Sequence, residues 1–334
     1  MDELVIVIAD LYLPEEGAPA VVPLPGLERI ARFARGSALN DGWRPWLARR
    51  VGSRLLAEEA PASVAARCAD AHGADAVWLA TPVHCVAGLC SLHLDHHGLL
   101  KLPAAQLASL AEDFRNRFQG SGFALEPLAS GVFLLAGPAV SDAEGTEPAL
   151  ALGQLAAALP RAPALRRLGT EIEIWLHEHA VNRARTARGE LPVTALWIWG
   201  GGARRRTTAT PAVESALGLE RAYGRDPYLD GLWCARGARV EPLPASIEQV
   251  LAGPARRSVI VVELSEQLVA APAAGLGDAL AALDARWLAP AAQLVARGAV
   301  RRLAVLANGR CLLLGRHDRL RRWRRARPGL AGLV

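Results

Sequence analysis

The sequence predicts an α/β protein in which helices cover both faces of a mostly parallel central sheet, giving three layers. Short apolar runs at residues 4–9, 76–80 and 258–264 are typical of strands that are buried on both faces. Stretches with helical spacing of apolar residues alternate with these runs, as they do in β-α-β units. The chain has 334 residues, of which 51% are hydrophobic, so it can bury a sizeable core.

The first 80 residues have the pattern of a β-α-β unit. A loop rich in proline and glycine follows the first strand, and Gly73 ends the last helix before the second strand. Helical spacing predicts helices over residues 27–34, 46–59 and 62–71. Two buried strands joined by helices favour parallel pairing, so we expect residues 4–9 and 76–80 to lie in one sheet.

Residues 81–148 break this alternation, and we predict that they form an inserted α+β subdomain. The pattern predicts a hairpin or meander at 83–102, a helix at 104–118, two short strands within 123–136 and an acidic linker at 138–148. The α/β core domain is therefore predicted to comprise residues 1–80 and 149–334.

The second half of the predicted core returns to alternating helices and strands. Predicted helices lie at residues 149–159, 165–179, 211–217, 230–237, 276–296 and 319–327. Predicted strands lie at residues 196–199, 239–242, 258–264, 302–307 and 310–314. Thr210 and Pro211 are a favoured N-cap and first helical residue. Asn308-Gly309 predicts a tight hairpin turn between the last two strands.

Charge, cysteines and hydropathy narrow the class of protein. The formal net charge is +5, but Lys101 is the only lysine, so no GxxxxGK[ST] phosphate loop is present. The five cysteines form no CxxC pair, and the acidic, apolar start lacks a signal-peptide pattern. We therefore expect a cytoplasmic chain with free thiols. No uncharged apolar run reaches about 18 residues, so we expect no membrane span.

The segment 168–206 carries the candidate ligand-binding residues. Its amphipathic helix contains His177, and His179 and Asn182 follow at the helix end. A short strand then ends in three glycines backed by arginines. These candidates are His179, Asn182, Arg185, Gly200, Gly201, Gly202 and Arg204. Polar groups at a helix end beside a glycine-rich strand end can hold a small anion. Alternatively, the polar residues cap the helix and the glycines form a plain turn.

This segment resembles two related groups of proteins. The shared residues are His179, Val181-Asn182, Arg185, Arg188-Gly189, Pro192-Val193, Trp197 and Trp199 with the three glycines. The pattern is similar to that of archaeal-type, cofactor-independent phosphoglycerate mutases, and closer to a bacterial group called RpfE-type regulatory proteins. Ala180 and Thr194 depart from it, since proline and asparagine stand there in the resembled motif. Residues 81–84 and 283–290 resemble two further elements of that group.

The resemblance implies a degenerate alkaline-phosphatase-like scaffold and allows the mutase chemistry to be tested on the residues. Mutases of this superfamily use two metal ions and a Ser or Thr nucleophile, so they need several Asp and His ligands. Asp10 ends the first strand as expected, but Leu11 follows it instead of glycine. The expected D-x-x-G-H element is missing after residues 258–264, and residues 307–309 replace the expected Asp-His pair. The resemblance therefore implies the scaffold and argues against the reaction.

Two functional hypotheses follow from the resemblance. The leading one is a non-catalytic, mutase-like regulatory protein, without a cofactor, that binds a small anionic or phosphorylated ligand or an unidentified protein partner. The alternative is an active phosphoglycerate mutase or phosphatase-like enzyme that uses a divalent metal such as Mn²⁺ or Mg²⁺. Asp10, His84 and His179 are then the survivors of a remodelled metal site.

Two further clusters have simpler interpretations. Residues 84–97 contain His84, Cys85, Cys90, His93, Asp95, His96 and His97. Their spacing matches no established zinc pattern, so a polar hairpin face is favoured over a transition-metal site. The C-terminal stretch RHDRLRRWRRARP is strongly basic and contains Trp323. A solvated terminal helix with Trp323 packed inward is favoured over contact with nucleic acid or anionic lipid.

Overall fold

The structure is a computed structural model that describes residues 1–13, 22–69, 74–87, 92–141, 145–152, 161–203, 220–271, 273–318, 325 and 327–333. The chain divides into two compact units. The parallel-sheet unit comprises Met1–Ala57, Pro211–Leu229 and Arg236–Val334, and the antiparallel-sheet unit comprises Glu58–Thr210 and Asp230–Ala235.

The elements follow in chain order. The strands are β1 (Glu3–Ile8), β2 (Arg35–Ala38), β3 (Ala76–Val83), β4 (Val86–Ala87), β5 (Leu92–His93), β6 (Ala124–Pro127), β7 (Phe133–Gly137), β8 (Ala195–Ala203), β9 (Glu220–Tyr223), β10 (Arg257–Val262), β11 (Arg302–Ala307) and β12 (Arg310–Gly315). The α-helices are α1 (Pro25–Phe33), α2 (Trp43–Arg50), α3 (Pro61–Ala65), α4 (Ala104–Arg117), α5 (Pro163–His177), α6 (Ala180–Ala187), α7 (Pro227–Cys234), α8 (Ile247–Leu251), α9 (Leu264–Ala270), α10 (Leu276–Leu283) and α11 (Ala289–Arg297). Short 3₁₀ turns lie at Leu55–Glu58, His96–Gly98, Pro148–Ala151 and Gly329–Gly332, and Asp284–Leu288 forms a π-helical turn.

The parallel-sheet unit contains a six-stranded sheet in the order β2-β12-β11-β1-β10-β9. The four strands from β11 to β9 run parallel, and β12 returns antiparallel to β11. Asn308 and Gly309 both have positive φ, 50° and 63°, as the predicted tight turn requires. The predicted α/β class with a mostly parallel central sheet is therefore confirmed.

Both faces of this sheet are covered, as its uniformly apolar strands predict. On β1, Leu4, Ile6 and Ile8 join the core formed with helices α1, α9, α10 and α11. Val5 and Val7 point to the other face and are equally buried, at 0% exposure. Because both faces of the sheet are covered, side chains that point to either face must be apolar. This explains the uninterrupted apolar run from Leu4 to Ile8.

Residues 283–290, which connect α10 to α11, form hydrogen bonds with the start of α1. The Asp284 carboxylate accepts hydrogen bonds from the backbone N–H groups of Gly26 (2.9 Å) and Leu27 (2.7 Å) at the start of α1. A Cβ atom on Gly26 would lie 2.4 Å from the backbone nitrogen of Ala289, so only glycine fits there. Trp287 is buried beside it. Burial raises the pKa of Asp284, while the two N–H bonds oppose that shift.

The antiparallel-sheet unit is built around the strand order β6-β7-β3-β8, in which all three pairings are antiparallel. Helices α4 and α5 pack on this sheet through a second apolar core. The expectation that residues 76–80 pair in the parallel sheet is wrong, because β3 lies between β7 and β8. An apolar strand buried on both faces looks alike in either kind of sheet, so the sequence could not separate the two cases.

The compact unit that contains the predicted subdomain 81–148 is larger than that subdomain. Residues 58–80 and 149–210 belong to it as well, whereas the prediction assigned them to the core. That 81–148 is an insertion stays a prediction. The predicted helix at 211–217, most of the one at 149–159, and residues 319–324 and 326 of the one at 319–327, with Trp323, lie outside the described residues. No helix in the described part of the chain combines the length and apolar character that a membrane crossing needs.

Candidate functional site

The predicted ligand-binding residues lie mostly in the antiparallel-sheet unit, where α5 passes into α6. His179 is the N-cap of α6 and is 7% exposed. Its Nδ1 accepts a hydrogen bond from the Val181 N–H (3.1 Å), and its Nε2 lies 2.9 Å from Asp113 Oδ2. A neutral ring with the proton on Nε2 satisfies both contacts, with the Asp113 carboxylate as acceptor. Both ring nitrogens are therefore engaged within the protein.

Asn182 joins the end of α5 to the segment that leads into β8. Its Nδ2 donates to the carbonyl oxygens of Leu176 and Val193, both at 2.7 Å. Its Oδ1 accepts the backbone N–H of Val193 at 2.8 Å. The side chain is 6% exposed, and these three bonds use both amide hydrogens and the oxygen. Asn182 therefore has a structural role of the kind that the alternative interpretation assigned to it.

Arg185 holds the turn after α6. Its Nε donates to the Leu191 carbonyl (2.8 Å), and one terminal nitrogen donates to Gln106 Oε1 (2.8 Å) and lies 3.2 Å from a Glu190 oxygen. Burial lowers the pKa of Arg185, and the Glu190 carboxylate opposes that shift. The guanidinium thus pairs with Glu190 and holds the loop in place. These contacts use most of the N–H donors of Arg185.

Gly200 and Gly201 form a β-bulge, and Gly202 follows it in the paired strand. Val77 pairs with Gly202 and Leu79 with Trp199, so Gly200 and Gly201 together face the single residue Trp78. Gly200 has φ +62°, a conformation that favours glycine. A Cβ atom on Gly201 would lie 2.1 Å from the Val77 carbonyl oxygen and 2.4 Å from the Trp78 ring. These glycines allow β8 to approach Trp78 closely. Arg204, the predicted anion-binding partner, lies outside the described residues.

The candidate metal ligands are engaged in other contacts. Asp10 lies in the parallel-sheet unit, where its two carboxylate oxygens accept the N–H groups of Leu264 (2.6 Å) and Ser265 (2.8 Å). His84 lies in the other unit, with Nδ1 2.9 Å from the Pro192 carbonyl oxygen. Among the described residues, no three His, Cys, Asp or Glu side chains form a group that could hold a metal ion. Cys90 lies outside those residues.

A groove of about 580 Å³ lies beside the predicted block in the antiparallel-sheet unit. Its polar lining comprises Glu173, His177, Asn182, Arg183, Thr186 and Thr194. Asn182 thus belongs both to the predicted set and to the groove, whereas His179 and Arg185 do not line it. Glu173 and His177 are four residues apart on α5, so helical spacing places them on one face. This spacing is visible in the sequence and could have indicated the groove. Glu173 and His177 were nevertheless not among the candidate ligand-binding residues predicted from the sequence.

The electrostatics of the groove are mixed. Burial raises the pKa of Glu173. Burial also raises the pKa of the nearby Cys85 thiol, an effect that Glu173 reinforces and a hydrogen bond with Thr194 opposes. A thiol with a raised pKa stays protonated at neutral pH and is a poor nucleophile. The groove therefore offers an acid, a guanidinium and the exposed hydroxyl of Thr186 for binding, without an activated cysteine.

Comparisons with known proteins assign no family. No family model matches the chain, and no curated protein matches it. Among solved structures, the chain is similar to a cofactor-independent phosphoglycerate mutase from Thermoplasma acidophilum, with 14% identity, a TM-score of 0.39, and coverage of 94% of this chain and 90% of that chain. It is also similar to a protein from Pyrococcus horikoshii, with 11% identity, a TM-score of 0.45, and coverage of 94% and 87%. Values this low assign neither a relationship nor an activity.

Proposed function

We propose that this protein is a non-catalytic, phosphoglycerate-mutase-like protein of the RpfE type that binds a small ligand in the groove between α5 and α6. The proposal rests on the hydrogen bonds that the Asp10 carboxylate accepts. A metal ligand must direct a lone pair at the ion, and Asp10 instead directs both oxygens at the first N–H groups of α9. It is 5% exposed and serves as a helix cap.

The residues around Asp10 therefore do not fit the two-metal chemistry that the resemblance implies. The backbone N–H groups of Leu264 and Ser265 bind both carboxylate oxygens of Asp10, and both residues are buried at the start of α9. In the antiparallel-sheet unit, the nitrogens of His179 are engaged by Val181 and Asp113. The polar groups that a metalloenzyme would keep free for ions stabilise backbone turns instead.

The groove provides the binding site in this proposal. Arg183 supplies a positive charge for an anionic group of the ligand, and the exposed Thr186 supplies a hydroxyl. Glu173, whose pKa is raised, accepts a hydrogen bond when ionised and donates one when protonated. A small phosphorylated or carboxylated metabolite with further hydroxyl or amine groups matches this set. The groove volume of about 580 Å³ suits such a molecule.

The catalytic part of the proposal is tested by converting 3-phosphoglycerate to 2-phosphoglycerate with Mn²⁺ or Mg²⁺. We expect no turnover by the wild-type protein. Metal-dependent turnover that Asp10→Asn abolishes would instead establish the active enzyme. We further expect Asp10→Asn to destabilise the protein by about 2–4 kcal/mol with or without metal, because its amide donor would face a backbone N–H. Asp278→Asn, at an exposed helix cap, is the control for the same loss of charge.

The binding part is tested by thermal shift with 3-phosphoglycerate and phosphoserine as probes. We expect a shift for at least one probe, and its loss in Arg183→Ala. Arg166→Ala is the matched control, because this exposed arginine of α5 does not line the groove. The absence of any shift, or an equal shift in both variants, contradicts binding in this groove.

A further inference from the structure

A cleft in the parallel-sheet unit is lined by four arginines. It has a volume of about 470 Å³, and the lining includes Arg32, Arg310, Arg325 and Arg327. These side chains come from distant parts of the chain: Arg32 from the last turn of α1, Arg310 from the start of β12, and the other two from the C-terminal segment. The fold therefore gathers positive charge that no single sequence motif contains.

Three of the arginines in this arginine cleft have no acidic partner in the described part of the chain. Among the described residues that line the cleft, none is Asp or Glu. Arg310, Arg325 and Arg327 form no ion pair with any described residue. Elsewhere in the same unit, arginines are paired: Glu3 is bound by Arg50 and Arg257. The guanidinium groups of these three arginines repel each other, and an anion that binds between them removes that repulsion.

The C-terminal segment is fixed in place beside the cleft. The Gly329 N–H donates to Glu28 Oε1 of α1 (2.8 Å), and the Leu333 carbonyl accepts from Asn308 Nδ2 (2.8 Å). A Cβ atom on Gly332 would lie 2.3 Å from the Cβ of Ala31, so the segment packs directly on α1. These contacts hold residues 329–333, which follow Arg327, against the rest of the unit.

We propose that this arginine cleft binds a small organic molecule that carries two or more phosphate groups. The three guanidinium groups without an ion pair can together satisfy more oxygens than a single phosphate offers, and guanidinium matches phosphate in a bidentate geometry. Ala31, Ala34 and Leu312 provide an apolar part of the lining, which suits an organic moiety. The volume lies within the range of small-molecule sites. The cleft is separate from the α5–α6 groove, and its occupant does not depend on the function proposed there.

Isothermal titration calorimetry with pyrophosphate, orthophosphate and ADP tests the proposal on the full chain at about 150 mM salt. We expect saturable binding of one pyrophosphate, weaker binding of orthophosphate, and tighter binding of ADP. Arg310→Gln should weaken pyrophosphate binding about tenfold or more, because a charge-assisted bond is lost. Arg302→Gln is the matched control, since this exposed arginine lies at the opposite end of the same hairpin.

Three results would overturn the proposal. The first is no binding of pyrophosphate or ADP, and the second is equal weakening by Arg310→Gln and Arg302→Gln. The third is a single-stranded oligonucleotide that binds more tightly than pyrophosphate with a steep salt dependence, which would assign the arginines to nucleic acid. Arg327→Gln, at an exposed position in the C-terminal segment, repeats the test if Arg310→Gln fails to fold. Arg183→Ala should leave pyrophosphate binding unchanged, which separates this site from the groove.

Discussion

Substitution of Asn182 distinguishes a structural side chain from one that serves a ligand. Asn182→Ala removes the bonds to Leu176 and Val193, and Asn182→Asp keeps only the bond from the Val193 N–H. In the aspartate variant, the second oxygen faces two carbonyl oxygens where the amide donated to both. We expect both variants to destabilise the antiparallel-sheet unit, with aspartate the more damaging because it also buries a charge.

The magnitude follows from the three bonds. Each buried hydrogen bond contributes about 1 kcal/mol net, and backbone groups left without partners add a desolvation cost. Asn182→Ala should therefore lower the free energy of unfolding by about 2–4 kcal/mol. Thr186→Ala is the control, because Thr186 lies on the same helix, lines the same groove and is exposed, so its change should stay within about 0.5 kcal/mol.

Urea titrations followed by circular dichroism and tryptophan fluorescence measure these changes. Because the chain has two compact units, hydrogen exchange at the Val193 amide gives a local measure of the same interaction. We expect faster exchange there in both Asn182 variants. If Asn182→Ala shifts the urea midpoint no more than Thr186→Ala, the hydrogen bonds do not stabilise the fold as we argue.

Two further predictions concern packing and pH. Gly201→Ala should destabilise the protein by about 3 kcal/mol or more, because its Cβ would lie 2.1 Å from the Val77 carbonyl oxygen. Gly169→Ala, inside α5 with open space around it, should stabilise by about 0.5–1 kcal/mol, and urea titration measures both. Burial raises the pKa of Cys311 from 9.0 to about 11. Stability should therefore fall by about 2–3 kcal/mol between pH 9 and 11, as the unfolded chain releases that proton first.

The outcomes that contradict these two predictions are specific. A Gly201→Ala variant as stable as the wild type would mean that β8 does not approach Trp78 as closely as described. For Cys311, the alkaline loss of stability should be smaller in Cys311→Ala than in the wild type. Equal slopes in the two proteins would show that the thiol does not stay protonated in the folded state.

The sequence predicted the elements whose signals are local. The turn at Asn308-Gly309 and the strands around it follow from residue preferences over a few positions. The buried strands β1 and β10 follow from uninterrupted apolar runs. Sheet membership is not local, and the assignment of β3 to the parallel sheet was wrong. Its eight residues are all buried, and this pattern is shared by central strands of both sheet types.

In the candidate site too, local features were predictable from the sequence and contacts between distant residues were not. The sequence marked His179, Asn182, Gly200 and Gly201 as candidate ligand-binding residues, with helix capping and a turn as the alternative, and the hydrogen bonds and bulge observed here match that alternative. Ligand binding by His179, Asn182 and Arg185 stays a prediction. The sequence did not indicate that the polar atoms of these three residues would bind Asp113, Val193 and Gln106, because these partners come from other segments of the chain.

By itself, the sequence determined the α/β class, the buried strands β1 and β10, and the tight turn at Asn308-Gly309. These properties depend on neighbours within a few residues. Only the tertiary structure decided that Asp10 caps α9, that Gly201 faces Trp78 and that Arg32 and Arg310 line one cleft. Those outcomes depend on which distant groups come within about 3–4 Å, where hydrogen bonds and repulsion act. What this protein binds depends on these contacts between distant residues.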